Sequence, residues 1–323
     1  MKVIFMGTPD FAVPALKALA ESQQHTVCLV VTQPDKPKGR SGQPSPSDVK
    51  VCAAEYGIPV YQPAKIREPE AVERLREENA DIIVVAAFGQ ILSREILQMP
   101  RYGCINIHGS LLPKYRGAAP IQWAVLNGEK EAGNTIMQMN EGLDTGDILT
   151  QEKVTLEPEE TAGSLYDKLS QMGGSLLLRT MEELEKGTIT PIPQEESKSC
   201  YARMLRKDMG CIDWNKSAAA IGNLVRGMNP WPSAYTRWNG KLLKIWMAAP
   251  VSENELTALG YSADGREFRD AEPGTVMFVT RNMLVIQTGD GLLSLKELQL
   301  EGKKRMPAED FLRGVRIQTG DRL

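Results

Sequence analysis

Ile82 to Phe88 is a run of seven apolar residues, Ile-Ile-Val-Val-Ala-Ala-Phe, with no polar residue alternating through it. A strand that shows one face to water carries a polar side chain at every second position. A strand without that alternation is covered on both faces. Such a strand sits inside a sheet with helices packed above and below it, and this restricts the chain to a few layered α/β architectures. The same signal recurs at Val3–Met6, Thr26–Val31, Val60–Tyr61 and Cys104–Ile107. Between these pieces, Phe11–Ala20 (with Phe11, Leu16 and Leu19 at helical spacing), Ser47–Tyr56 and Glu68–Glu78 read as helices. Pro14 fits near the start of the first, where its missing N–H costs little. The first 110 residues are therefore expected to form a doubly wound, Rossmann-like α/β unit on a mostly parallel sheet.

The pattern changes beyond Asn134. Thr135–Met139 and Ile148–Val154 flank the turn-rich stretch 140–147, as two strands joined by a long loop, and Thr161–Glu185 reads as a long amphipathic helix. Gly187–Ser199, with Pro191, Pro193, Glu195 and Glu196, reads as an interdomain linker. After a helix near Ala218–Arg226, the strand-like pieces Ala234–Trp238, Leu242–Met247, Thr275–Val279, Met283–Gln287 and Leu292–Leu298 are separated by Gly, Asn and Asp turns. Short strands of this kind suggest a small barrel or sandwich. A chain of 323 residues suits two domains. Their expected bounds are 1–189 and 207–323, with a linker at 190–206. One biased segment, Gln33–Ser47, carries four Pro and the bases Lys36, Lys38 and Arg40, and reads as a surface loop.

The net charge of −3 is not that of an obvious polyanion binder, but residues 200–323 hold 18 Lys and Arg against 14 Asp and Glu. The remainder is correspondingly acidic. That asymmetry fits either scatter or a second domain that meets phosphate. Five Cys without a C-x-x-C pair, in a chain with two His, speak against a zinc site and suit a reducing cytosol. The longest apolar run is far short of a membrane span, and Lys2–Met6 is too short for a signal peptide, so a cytoplasmic protein is expected.

The scarce residue types narrow the chemistry. His25 lies in a polar connector and is expected to be solvated. His108 follows a buried strand, in Ile105-Asn-Ile-His-Gly-Ser110. The carboxyl ends of strands form the ligand crevice of an open α/β sheet, and period-two geometry puts Asn106 and His108 on one face. A structural His at a capped strand end fits the same residues. Gly142-Leu-Asp-Thr-Gly-Asp147 lacks the ligand pattern of a calcium loop, whereas Asp144 near His108 would form a His–carboxylate pair. Ser110–Gly117 is irregular enough to wall a ligand site. G-x-G-x-x-G, G-x-x-x-x-G-K-[ST] and G-x-S-x-G are all missing, which argues against dinucleotide, ATP and serine-hydrolase sites.

Asn106-Ile-His108, Ser110-Leu-Leu-Pro-Lys-Tyr-Arg-Gly117 and Gly142-Leu-Asp-Thr-Gly146 together resemble the 10-formyltetrahydrofolate-dependent formyltransferases. Phe5–Pro14, Gly117–Gln122, Gln138-Met139 and Val225-Arg-Gly-Met-Asn-Pro-Trp-Pro232 are similar to the branch of that family that acts on methionyl-tRNA, and the resemblance covers almost the whole chain. It implies a catalytic set of Asn106, His108 and Asp144. It implies a tetrahydrofolate site lined by Ser110, Leu111, Leu112 and Pro113, with Phe88, Gly89, Gln90, Ile91 and Leu92 forming part of the pterin pocket. Lys36, Lys38 and Arg40 would reach the acceptor end of the tRNA. The stretch after Arg40, Ser41-Gly-Gln-Pro44, is not basic as it is in some relatives. The second domain would be an OB-like β-barrel gripping the tRNA.

The implied reaction moves a formyl group from 10-formyltetrahydrofolate, as co-substrate, to the α-amino group of methionyl initiator tRNA for translation initiation. No metal is needed, and a monomer is expected. Formyl transfer to an amino sugar nucleotide, or non-catalytic binding of folate or nucleic acid, are the competing readings. Cys104, inside a buried strand, reads as a packed side chain rather than a reactive one.

Overall fold

The computed structural model describes residues 1–37, 43–258 and 271–323. The chain divides into two compact units. The first comprises Met1–Ile121, Glu131–Thr155 and Leu165–Arg203. The second comprises Gln122–Lys130, Leu156–Ser164 and Met204–Leu323.

The first unit is built on a seven-stranded sheet. Its strands are β1 (Lys2–Gly7), β2 (Thr26–Val31), β3 (Val60–Tyr61), β4 (Ile82–Ala86), β5 (Cys104–His108), β6 (Glu131–Gln138) and β7 (Ile148–Thr155), in the order β7-β6-β5-β4-β1-β2-β3. The strands from β5 to β3 run parallel, and β6 and β7 add as an antiparallel pair beside β5. The apolar runs fall where the sequence places them: every residue of β4 is buried, because helices cover both faces of the sheet. Those helices are α1 (Val13–Glu21), α2 (Asp48–Glu55), α3 (Pro69–Glu77) and α4 (Ala162–Lys186). Ser47 caps α2 by accepting from Lys50 N, and prolines stand at the first turns of α1 and α3. Ile4, Leu29, Leu75, Ile83, Phe88, Ile96 and Cys104 pack into one continuous apolar cluster.

From β1 the chain builds outward to β2 and β3, then returns to lay down β4 and β5 on the other side. The strand order therefore reverses between β1 and β4, and their carboxyl ends diverge into a crevice. Three segments leave the sheet at this edge: Thr8–Asp10 after β1, residues 87–92 after β4, and Gly109–Gly117 after β5.

The second unit carries α5 (Ala218–Gly227) and a six-stranded antiparallel sheet. Its strands are β8 (Ala234–Trp238), β9 (Lys241–Pro250), β10 (Val276–Val279), β11 (Leu284–Gln287), β12 (Leu292–Leu300) and β13 (Met306–Pro307). This is the smaller β domain the turn-separated strands lead one to expect. Asn239-Gly240, both at positive φ (48° and 75°), closes the β8–β9 hairpin, the conformation that selects an Asn-Gly turn. Among the described residues, no helix is long and apolar enough to cross a membrane.

Two sequence-based expectations change. His25 is buried rather than solvated, with 6% exposure, and its Nδ1 lies 3.3 Å from the Met1 amine. Polar neighbours disguise this position, which lies directly before β2. Burial lowers its pKa, and the nearby amine lowers it further. The Pro- and Glu-rich stretch read as a linker also packs in part on the first unit: Tyr201-Ala202 pairs parallel with Arg116-Gly117, and Ile192 bridges to Ile148. Cys104 is fully buried, and burial pushes its thiol pKa up to about 12, as suits a packed side chain.

Candidate active site

Asn106 and His108 leave the end of β5 on the same face, Asn106 half-buried and His108 6% exposed. Asn106 stands opposite Val85 of β4 and Met137 of β6, so two neighbouring strands fix its backbone.

The His108 ring is held by one contact and faces another group. Its Nε2 lies 2.9 Å from the carbonyl oxygen of Tyr115. That oxygen can only accept, so the proton of a neutral ring is placed on Nε2. Nδ1 then turns toward the carboxylate of Asp144, with Nδ1 and Oδ2 3.7 Å apart. This is too long for a hydrogen bond. It is close enough that a proton arriving on Nδ1 would form an ion pair, worth about 4 kcal/mol of Coulomb energy at an effective dielectric constant of about 20. The carboxylate side chain is 14% exposed, so water screens it little. Asp144 and His108, far apart in sequence, thus meet as the sequence leads one to expect.

Several backbone devices hold Asp144 in place. Its φ is +52°, in the left-handed region. Its Oδ2 accepts a 2.8 Å hydrogen bond from the Gly117 N–H. Asn140 Oδ1 folds the loop from inside by accepting from Gly142 N (3.0 Å) and Thr145 Oγ1 (2.8 Å). At Gly146 an added Cβ would fall 1.6 Å from the Gln138 carbonyl oxygen, so only glycine lets the loop lie this close to β6.

The wall from Ser110 to Gly117 is likewise built from its own polar groups. Ser110 Oγ donates to Lys114 O (2.7 Å), and Thr135 Oγ1 donates to Ser110 O (2.6 Å) while accepting from Leu112 N. Ser110 is 2% exposed, so its hydroxyl serves the fold of the loop. Leu112 is buried against Met137 and Ile148, and Leu111 and Pro113 are half-buried.

On the other side, Ala87 (φ +47°) and Gly89 (φ +82°) turn the chain after β4. The Phe88 carbonyl accepts from Thr8 Oγ1 (3.1 Å) and Gln33 Nε2 (3.2 Å), which ties this segment to the ends of β1 and β2. Phe88 and Leu92 are buried, while Ile91 is 70% exposed. The Gln90 side chain is engaged with Ile66 N and Pro63 O. Met139 packs against both the cluster containing Phe88 and Leu92 and the cluster containing Leu112. The two expected folate segments therefore share one apolar neighbour.

Lys36 is exposed, on a short antiparallel pairing of Lys36-Pro37 with Pro44-Ser45. Lys38 and Arg40 lie outside the described residues.

Sequence reasoning missed the supports from the stretch after Pro193. Cys200 Sγ accepts from the N–H of Tyr115, the residue whose carbonyl holds His108, at 3.2 Å. Arg116, 8% exposed, is satisfied by Gln194 Oε1 (3.0 Å) and Glu196 Oε2 (2.7 Å). A loop arginine that must be buried and a stretch rich in Glu and Gln were the available signal, but they lie far apart in sequence.

Chemically, the site offers an amide, an imidazole with one nitrogen free to gain or lose a proton, and a carboxylate to stabilise the charge. These suit acyl-type transfer, in which a proton leaves a nucleophile and charge develops on a carbonyl oxygen.

Comparison with known proteins gives the chain two matches to family models: formyl transferase over residues 1–181, and formyl transferase, C-terminal domain, over residues 204–316. A methionyl-tRNA formyltransferase of Agathobacter rectalis is 53% identical over 320 residues, covering 99% of this chain and 98% of that one. One of Lachnospira eligens is 54% identical with the same coverage. Among solved structures, an N-formyltransferase from Helicobacter canadensis with folinic acid and dTDP-3-aminofucose aligns with a TM-score of 0.65 at 18% identity, covering 91% of this chain and 98% of that one. HypX from Aquifex aeolicus, in complex with tetrahydrofolic acid, aligns at 0.59 and 17% identity, covering 97% of this chain and 47% of that one. At these identities the structural likeness speaks for the fold.

Proposed function

The chain belongs to the formyl transferase family, and from that premise we infer that it transfers a formyl group from 10-formyltetrahydrofolate to the α-amino group of methionyl initiator tRNA. The observation that carries this reading is identity of about half the residues, over both domains, with methionyl-tRNA formyltransferases. Formyl transfer to an amino sugar nucleotide rests on fold likeness alone and is not favoured.

The roles of the residues follow from their chemistry. 10-Formyltetrahydrofolate supplies the formyl group. Residues 88–92 and 110–113, two segments whose buried cores share Met139 as a neighbour, would hold the folate. The attacking α-amine has a reference pKa near ~7.7, so a useful fraction is neutral at physiological pH. As it attacks, negative charge grows on the formyl oxygen. The Asn106 amide donates there, and one such donor is typically worth about 3 kcal/mol. His108 takes the amine's proton at Nδ1 while its Nε2 stays on the Tyr115 carbonyl, and Asp144 stabilises that charge from 3.7 Å. The proton passes to N10 as the bond from N10 to the formyl carbon breaks and tetrahydrofolate leaves.

We assign the transfer chemistry to residues 1–189 and the tRNA grip to 207–323, with 190–206 between them. In the second unit, Trp246 is flanked by Lys244 (5.5 Å) and Arg305 (4.7 Å), a cationic and aromatic surface suited to a phosphate-bearing partner. Lys36, Lys38 and Arg40 are proposed to meet the acceptor end. We take the protein to act as a monomer, and a charged tRNA substrate fits the cytoplasm. The test is transfer of labelled formyl from 10-formyltetrahydrofolate to charged initiator tRNA, with an amino sugar nucleotide as the competing acceptor. Label on the sugar and none on the tRNA would reverse the assignment.

A further inference from the structure

Fifty residues beyond Asp144, Gln194 makes three contacts that all bear on that aspartate's position. Its Nε2 lies 2.8 Å from the Asp144 carbonyl oxygen and 2.7 Å from the Gly146 carbonyl oxygen. Its Oε1 accepts from Arg116 Nε at 3.0 Å. A carboxamide nitrogen has two protons, and here both go to backbone carbonyls of the loop that carries Asp144. The reverse amide orientation would set an oxygen against two carbonyl oxygens and an NH₂ against a guanidinium, so one orientation is allowed.

Arg116 is followed by Gly117, whose N–H donates to Asp144 Oδ2. The contacts therefore close a ring. Gln194 holds the backbone of Asp144 and the side chain of Arg116, and the residue after Arg116 holds the carboxylate. Arg116 is anchored again by Glu196 Oε2 at 2.7 Å, so its place does not depend on Gln194 alone. Asn140 folds the same loop through Gly142 N and Thr145 Oγ1, so the Gln194 amide is a second, independent tie on it.

We propose that Gln194 is a positioning residue for formyl transfer. By donating both amide protons to the 144–146 backbone, it sets the Asp144 carboxylate at its working distance from His108 Nδ1. The proposal rests on the function inferred above. It assigns to a residue in a Pro- and Glu-rich connecting stretch a share in the reaction that its sequence surroundings do not suggest.

Two substitutions separate this role from simple structural support. Gln194→Glu keeps an acceptor for Arg116, and strengthens that contact with charge, but loses both donors and sets a carboxylate against two carbonyls. Gln194→Met keeps the size and loses everything polar. If Gln194 positions Asp144, both variants lower kcat for methionyl-tRNA by roughly 10–100-fold, the range of other supporting side chains that orient a reactive group. KM for 10-formyltetrahydrofolate then stays within about twofold, because the side chain of Gln194 contacts Asp144, Gly146 and Arg116 and none of residues 88–92 and 110–113. If Gln194 only secures Arg116, Gln194→Glu keeps wild-type kcat while Gln194→Met loses it, and the proposal fails. It also fails if both variants keep more than half of wild-type kcat, or if kcat falls only in proportion to the folded fraction, measured by near-ultraviolet circular dichroism on the full chain. The wild-type protein, run in parallel, separates the two levels. No turnover of charged initiator tRNA by wild type overturns the functional assignment and this proposal with it, whereas wild-type turnover with insensitive variants overturns this proposal alone.

Discussion

Replacing Asp144 by Asn isolates the charge of the carboxylate from its place in the structure. The amide keeps an oxygen that can accept from the Gly117 N–H, so the 2.8 Å contact that fixes the side chain is retained. The negative charge 3.7 Å from His108 Nδ1 is lost. At that separation and an effective dielectric constant of about 20, the lost attraction for a protonated ring is about 4 kcal/mol. Each ~1.4 kcal/mol is a factor of ten in rate, so full development of the charge in the transition state corresponds to roughly a 10³-fold lower kcat. The charge is absent when folate binds, so KM for 10-formyltetrahydrofolate should change by less than about twofold. The thermal midpoint should move by only a few degrees, because no cavity opens and the Gly117 donor stays satisfied. Single-turnover transfer of labelled formyl to charged initiator tRNA, with folate concentration varied, gives both constants. A kcat above a tenth of wild type refutes the reasoning: Asp144 would then hold the loop without stabilising charge on His108.

His108→Ala and Asn106→Ala should each lower kcat by roughly 10²–10³ with folate binding intact, since both act on charge that exists only during reaction; either variant retaining half of wild-type kcat removes its residue from the mechanism. Arg40→Ala should raise KM for charged tRNA and flatten its dependence on salt, leaving folate affinity as it was, measured by kinetics at two ionic strengths; unchanged tRNA kinetics would confine this loop to a connecting role. Cys104 has its thiol pKa pushed from 9.0 up to about 12 by burial, so the folded state excludes the thiolate that the unfolded chain forms. Its contribution is complete below pH 9 and is lost as pH rises toward 12, a span of about 4 kcal/mol by linkage; Cys104→Ala should therefore flatten the decline of urea midpoints between pH 8 and 10.5 by about one proton, and an identical slope in both proteins would refute it.

The layers of the first unit were legible because a strand buried on both faces cannot hide its composition: Ile82–Ala86 admits hardly any other reading. The antiparallel pair β6 and β7 was legible for a different reason, the Gly- and Asp-rich turn between the two apolar pieces. His108 was singled out by scarcity, there being two imidazoles to assign, and Asp144 by its Gly- and Asp-rich loop and the family resemblance. What escaped depends on contacts that leave no local trace. Gln194, Glu196 and Cys200 sit among prolines and glutamates that have the composition of a tether, and their role exists only because Arg116 is buried and needs partners. The motif around Ser110 suggested a ligand contact, and gave no sign that its hydroxyl also folds its own loop. His25 looked solvated because pattern reading averages over neighbours and cannot see the amine that packs against one ring nitrogen.

The pairing of Tyr201-Ala202 with Arg116-Gly117 bears on when the loops around His108 and Asp144 can first be ordered. Every strand of the central sheet has been synthesised once Thr155 is made, and the last of the helices that cover it is complete at Lys186. Gln194 trails Asp144 by 50 residues, about 3–10 s of synthesis at roughly 5–20 residues per second. At Lys186 the nascent chain carries every strand and covering helix of the sheet, yet the segment that orders the loops of His108 and Asp144 has not been made. Order in these loops is thus a late event of chain elongation, set by a two-residue strand and the Gln194 contacts rather than by completion of the sheet.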